Sequence, residues 1–201
     1  MRSEFLYWYP LDMRISAKEL LPNHLTFFLF QHAALFPDHL PQGIGVNGML
    51  SIEGKKMSKS KGNFITLKDA LNQFGADATR CALLLGGEGM NDPDWRRETV
   101  RDVKSKLRGF QNLTDTIIEN AKQTKTGHLE TWLISMLQHR IKTVTENMEA
   151  LKTRTALENA LFEIWNDFRW YTRRKQTFNS KILKQALETW TLLLAPFAPY
   201  I

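Results

Sequence analysis

Lys56-Met57-Ser58-Lys59-Ser60, continued by Lys61-Gly62-Asn63, is the stretch on which the reading of this chain turns. Two ammonium groups stand three residues apart with small hydroxyls between and after them, and Gly54 and Gly62 bound the segment. A loop of this make-up can close over a triphosphate. Lysine brings a compact charge with three donors, and serine hydroxyls and backbone N–H groups fill in around the phosphate oxygens. The flanking glycines permit the backbone torsions that a mobile loop needs. Composition alone favours a solvated basic turn, as most Lys/Ser-rich loops are. The surroundings have to decide.

Upstream, short extended pieces alternate with helix. Phe5 to Tyr9 is aromatic-rich and ends at Pro10, and Met13 to Ile15 is a second extended candidate. Asn23 reads as the N-cap of an apolar helix from His24 to Leu35, stopped by Pro37. Ile44 to Val46 and Met49 to Ile52 are short strands, and Glu53-Gly54 is a hairpin-like turn leading into the lysine loop. Downstream, Thr66 with Asp69 three residues on resembles a capping box for a helix closing at Gly75. Asp77 reads as the cap of the next short helix, which ends at Gly86-Gly87.

Past residue 95 the pattern is purely helical. Val100, Val103, Leu107, Phe110, Leu113 and Ile117 recur at helical spacing, as do Leu129, Trp132, Leu133, Met136, Leu137 and Ile141. Two further sets begin at Leu157 and Ile182, and the four together read as an amphipathic bundle. The boundary falls in the polar stretch from Met90 to Asp94. On these apolar faces Trp132, Trp165, Phe168, Trp170 and Trp190 read as core rather than as base-stacking platforms.

Composition excludes several classes. At 201 residues, 43% hydrophobic and 24% charged, the chain is an ordinary globular one. One cysteine, Cys81, allows neither an internal disulfide nor a paired-cysteine zinc site, and His32, His39, His128 and His139 show no ligand spacing, so no protein-bound metal is expected. The longest apolar run, Leu25 to Phe36, is too short for a bilayer, and the expectation is a cytoplasmic protein without a membrane partner. A net charge of +6 leans modestly toward a polyanionic partner.

The order Lys-Met-Ser-Lys-Ser resembles the second signature motif of class I aminoacyl-tRNA synthetases. Tyr7-Trp8-Tyr9-Pro10-Leu11-Asp12 with Arg14 and Ser16, then Pro22-Asn23-His24-Leu25-Thr26-Phe27-Phe28, narrow the resemblance to the leucyl enzymes, at the segment following their editing insertion. Val46-Asn47-Gly48, Gly75-Ala76-Asp77 and Asp94-Trp95-Arg96-Arg97 extend it, and it is similar to the archaeal and eukaryotic cytosolic branch. Leu194 to Pro199 resembles the point where the family's bundle continues.

That resemblance implies an α/β portion, the C-terminal part of a Rossmann-like catalytic domain with its stem-contact region, over 1–95. An all-α bundle of the anticodon-binding type follows over 96–201. It implies activation of leucine by ATP, accompanied by Mg2+, and transfer to tRNA(Leu). Lys59, then Lys56, would neutralise the leaving pyrophosphate, with Met57, Ser58 and Ser60 completing the loop. Ala17, Glu19, His24, Asn47 and Gly48 would lie near the nucleotide. The family's usual Gly-Lys-Asp-Leu reads Ala17-Lys18-Glu19-Leu20 here, so a methyl group and a methylene are added where the ribose approaches. Lys104, Arg108, Arg173, Arg174 and Lys175 are the candidates for tRNA phosphates, against the simpler reading of a solvated helix face. The first signature, His-x-Gly-His, is absent from these residues. The expectation is therefore a fragment or subunit, inactive alone, that needs the missing N-terminal half. The alternative is a noncatalytic tRNA-binding or assembly module of the same descent.

Overall fold

The computed structural model describes residues 2–58, 60 and 62–201, apart from the side chain of Arg2. The first element departs from expectation. Residues Arg2–Trp8 form helix α1, not a strand. Phe5 and Tyr9 are four residues apart, and one helical turn stacks their rings at 4.3 Å while Tyr9 N–H donates to the Phe5 carbonyl. Aromatic strand preference yields to this local pairing.

Strand β1 (Arg14–Ala17) runs parallel to β2 (Ile44–Asn47), with Arg14 opposite Ile44 and Ala17 opposite Asn47. Helix α2 (Thr26–Leu35) connects them as a βαβ unit. Its start also differs from the sequence reading. A 3₁₀ turn at Lys18–Leu20 and a π turn at Leu21–Leu25 carry the chain into α2 without a break. Asn23 therefore sits inside a helical turn, with Nδ2 donating to the Glu19 carbonyl at 3.3 Å, and caps nothing.

Strands β3 (Ser51–Ile52) and β4 (Lys55–Lys56) form the expected hairpin, and β5 (Asp94–Trp95) adds in parallel on the far side of β3. The turn places Glu53 and Gly54 at φ 50° and 73°, the double left-handed geometry that tight hairpins favour. Helix α3 (Leu67–Phe74) is capped as expected, Thr66 Oγ1 accepting from Asp69 N–H at 3.0 Å. Asp77 does not cap α4 (Ala76–Gly86). Gly75 occupies that place, and the Asp77 carboxylate accepts from Tyr200 N–H at the far end of the chain.

The helical part comprises α5 (Arg97–Glu119), α6 (His128–Glu149), α7 (Thr153–Leu157) continuing through a π-helical stretch into α8 (Ile164–Thr172), and α9 (Ser180–Leu194). Short strands β6 (Ala121–Lys122) and β7 (Phe178–Asn179) pair beside them. All four periodic sets supply buried residues. Trp190 is central: its ring meets the edge of Phe110 at 4.6 Å, stacks on Phe168 at 4.7 Å, and its Nε1 donates to the Ala160 carbonyl at 2.8 Å.

One apolar cluster runs from Ala70 to Ala198 without interruption at residue 95. Polar contacts cross the same line: Arg80 donates to the carbonyls of Pro196 and Phe197, and Glu88 accepts from Thr155 N–H and Oγ1. Among the described residues from Ser3 to Asp69, by contrast, only Leu25 and Gly48 are buried, and Tyr7, Trp8, Phe27, Phe30 and Leu35 stand exposed.

Candidate functional site: the lysine loop and the strand-end cleft

The lysine loop leaves the β3–β4 hairpin from the end of β4, beyond the Glu53–Gly54 turn. Lys56 ends β4, opposite Ser51, and is exposed. Beyond it Ser58 N–H donates to the Asn63 carbonyl at 3.0 Å, and Asn63 Nδ2 reaches back to the carbonyls of Lys55 and Lys56. The hydroxyls of Ser58 and Ser60 lie 3.0 Å apart, and Gly62 takes φ 68°. Met57 is half-buried. Lys59, the first-choice catalytic residue, and Lys61 lie outside the described residues.

The hairpin before this loop is held firmly. Asp94 accepts from Ser51 Oγ at 2.8 Å, from Gly54 N–H at 2.8 Å and from Arg96 Nε at 2.7 Å. Burial alone would raise its pKa, but these three donors outweigh it and hold the carboxyl below its ordinary value. Glu53 Oε1 accepts from Arg97 N–H, tying the turn to the start of α5. The lysine segment thus leaves a hairpin whose turn is itself fixed. Asp94 and Glu53 were not legible as supports. The signal available was an acid two residues before Arg96, and the sequence does not say what it faces.

The second constellation lies at the carboxyl ends of β1 and β2, where ligands of parallel α/β sheets bind. A cleft of about 580 Å³ opens there, lined by Ala17, Asn47 and Gly48 with Glu88, Asn91 and Pro93 opposite. Three of the nucleotide candidates are thereby brought together. The Ala17 side chain belongs to the lining, at the place where the family's usual glycine would leave more room. A Cβ on Gly48 would lie 2.2 Å from the Asn91 carbonyl oxygen, so glycine is required by the chain crossing at 91–92. That crossing is fastened by Asp92, which accepts from Lys18 Nζ at 2.6 Å and from Met49 N–H at 2.8 Å. The Lys18 bond, then the Met49 bond, holds the Asp92 carboxyl below its usual range. Glu19 and His24 do not line the cleft. Glu19 is exposed, and the His24 ring lies 3.2 Å from Arg14 Nη2 with Phe28 beside it.

The basic candidates separate. Lys104 and Arg108 are exposed along α5, and Arg173 and Arg174 are exposed after α8. Lys175 is committed to the interior. It pairs with Glu130, whose carboxylate also accepts from Tyr171 Oη at 2.7 Å and from Gly127 N–H at 2.9 Å. Lys175 is therefore a structural ion-pair partner, not a phosphate contact. The reason is that α6 buries Glu130 completely and a buried carboxylate must be paired. Burial would raise the Glu130 pKa, but Lys175, Tyr171 and Gly127 bring it down to about 2. Burial and the same bond push the Tyr171 hydroxyl up. A carboxylate depressed in the folded state stabilises above its unfolded pKa and loses that contribution as pH falls through the folded one. Acid titration followed by circular dichroism should show stability lost between about pH 4.5 and 2. Glu130→Gln should flatten that window, and an unchanged acid limb would contradict the assignment.

The model of the family "tRNA synthetases class I (M)" matches residues 6–124, and that of the "anticodon-binding domain of tRNA ligase" matches residues 130–201. The chain belongs to the class I tRNA synthetases. The catalytic-family match includes α5, and the helices from residue 130 onward are of the anticodon-binding type. Similarity to leucine–tRNA ligases covers the synthetase chain from end to end: 46% identity to that of Archaeoglobus fulgidus over 100% of this chain, and 42% to that of Methanococcoides burtonii over 99%. The chain spans 21% of either relative's length. Among solved structures, a LeuRS–tRNA–LeuAMS ternary complex from Agrobacterium radiobacter K84 superposes with a TM-score of 0.77 at 25% identity, over 94% of this chain and 26% of that one. Mycobacterium tuberculosis methionyl-tRNA synthetase bound by methionyl-adenylate gives 0.78 at 18% identity, over 98% and 43%, and shares the fold.

Proposed function

We propose that this chain is the part of a leucine–tRNA ligase that carries the lysine loop and the anticodon-binding bundle. In that ligase it serves activation of leucine by Mg2+-bound ATP and charging of tRNA(Leu). The observation that carries the reading is the end-to-end similarity to leucine–tRNA ligases in a chain whose Lys-Met-Ser-Lys-Ser segment leaves an anchored hairpin.

The leucine carboxylate oxygen attacks the α-phosphorus, the α–β bridging P–O bond breaks, and pyrophosphate leaves with the electron pair. No protein nucleophile is required. The protein's task is to hold the reactants in line and to neutralise charge on the leaving group. Lys56 and Lys59 do the latter, with Ser58 and Ser60 as further donors, and the cleft at Ala17, Asn47 and Gly48 receives the nucleoside. Mg2+ enters with ATP as part of the substrate; among the described residues there is no cluster of metal-ligating side chains. Among the same residues no helix is long and apolar enough to cross a membrane, and the setting we infer is cytoplasmic.

The exposed aromatic surface of residues 3–69 supports a second component of the reading. A stretch carrying Tyr7 at 78% and Phe30 at 71% exposure is one face of a larger catalytic domain, covered by the rest of the ligase. The experiment mixes this chain with a polypeptide carrying the remaining catalytic domain and follows leucine-dependent ATP–pyrophosphate exchange. Exchange only in the mixture is expected. No exchange, with tRNA binding retained, would replace the ligase reading with the noncatalytic module, which Ala17 and Glu19 favour. Neither exchange nor tRNA binding would dispose of both.

A further inference from the structure

Trp170 ends up outside the core its helical spacing suggested: 36% of it is exposed, whereas Trp190 is fully buried. It packs across α6 and α8 against Trp132, with ring centroids 4.0 Å apart and planes tilted by 36°. Above Trp170 lies the guanidinium of Arg174, 3.8 Å from the ring centroid, and Arg174 Nη1 donates to the Trp170 carbonyl at 3.0 Å. The three groups form an ordered stack whose outermost member, Arg174, is exposed.

We propose that Trp132, Trp170 and Arg174 form a stacking platform for an unpaired nucleotide base of tRNA; the choice of RNA rests on the proposed function, and the platform adds a site to it. A guanidinium plane stacks on bases much as aromatic rings do, and rings beneath it polarise and fix it. The electrostatics favour a polyanion. The carboxylates on the adjoining turns are engaged, Glu130 by Lys175 and Asp167 by Arg140, which leaves Arg173 and Arg174 facing solvent. A contact made by charge alone would need no ring beneath the guanidinium, and a duplex would offer no free base face. The surface therefore suits a single-stranded loop, with the base on Arg174 and the neighbouring phosphate toward Arg173.

The test measures anisotropy of end-labelled strands titrated with the full 201-residue chain. The strands are a short oligoadenylate and an abasic strand of equal length, with tRNA as a third probe. Base stacking is worth on the order of fivefold to a hundredfold in affinity. The oligoadenylate should bind tighter than the abasic strand by that factor. Arg174→Lys keeps the charge and removes the plane, and it should abolish the difference while leaving the salt dependence of binding unchanged. Trp170→Ala should do the same, with circular dichroism confirming the fold. Because Arg174 is exposed, its variant folds whatever Trp170→Ala does. Equal affinity for the two strands, or full affinity in Arg174→Lys, overturns the platform while leaving tRNA binding through charge intact. If no strand and no tRNA binds at low salt, the platform and the tRNA reading fall together.

Discussion

Replacing Lys56 and Lys59 together with alanine in the complete ligase should slow leucine-dependent ATP–pyrophosphate exchange by about 10³-fold or more, while leucine affinity stays within a few-fold of its original value. The asymmetry follows from where charge appears. Leucine is neutral overall and binds before any bond breaks, so two ammonium groups aimed at the β- and γ-phosphates contribute little to its ground-state affinity. They act when the α–β bond opens and negative charge moves onto pyrophosphate. Removing a single preorganised donor to a developing oxyanion costs roughly 10²–10³ in rate, and a pair acting on one leaving group should cost more without being additive. The anchoring at Asp94 sharpens the expectation. Asp94→Asn keeps the bulk but gives Gly54 N–H, Ser51 Oγ and Arg96 a poorer acceptor, so the hairpin loosens and a milder fall in the same rate should follow. If exchange ran at its normal rate with both ammonium groups gone, loop neutralisation of pyrophosphate would have to be given up.

How far the sequence reached depended on whether local pattern or long-range packing decided each element. The bundle helices were legible because Val100, Val103, Leu107 and Phe110 repeat at helical spacing and are buried along one face. The hairpin was legible because Glu53-Gly54 is turn chemistry that dictates its own backbone. Phe5–Tyr9 was misread because aromatic content suits a strand and a helix alike, and only the stack of the two rings settles it. Asp77 looks like a cap in isolation, but Gly75 in left-handed conformation already starts α4 and frees the carboxylate for Tyr200. At the candidate site, the loop residues and the strand ends Ala17 and Asn47 came from short motifs. The residues that hold them in place did not. Lys18–Asp92 spans 74 positions, and Glu88 with Thr155 spans 67. Pairs so far apart leave no trace in periodicity or spacing. The same limit explains Lys175, whose place in a basic run says nothing of the buried Glu130 that claims it.

The continuity of the core across residue 95 bears on the two-part division, and truncating Trp190 puts it to the test. Trp190→Ala removes a fully buried ring from contact with Phe110 and Phe168 and leaves the Ala160 carbonyl without its indole donor. Large-to-small changes of this kind cost about 3–5 kcal/mol. For a chain of this length that lowers the melting temperature by roughly 10 °C. Trp190→Phe keeps much of the volume and should cost less. The informative quantity is what melts. Trp190 belongs to the same apolar cluster as Phe74, Cys81 and Trp95, and Arg80 and Glu88 fasten α4 and the loop after it onto the bundle. If that cluster is one cooperative unit, amides of α4 and of the Asp94-anchored hairpin should lose hydrogen-exchange protection in step with those of α9. Separate transitions, with the hairpin still protected after the bundle has melted, would mean that the division at 95/96 is an energetic seam. The loop would then be held by its own hairpin and not by the helices behind it.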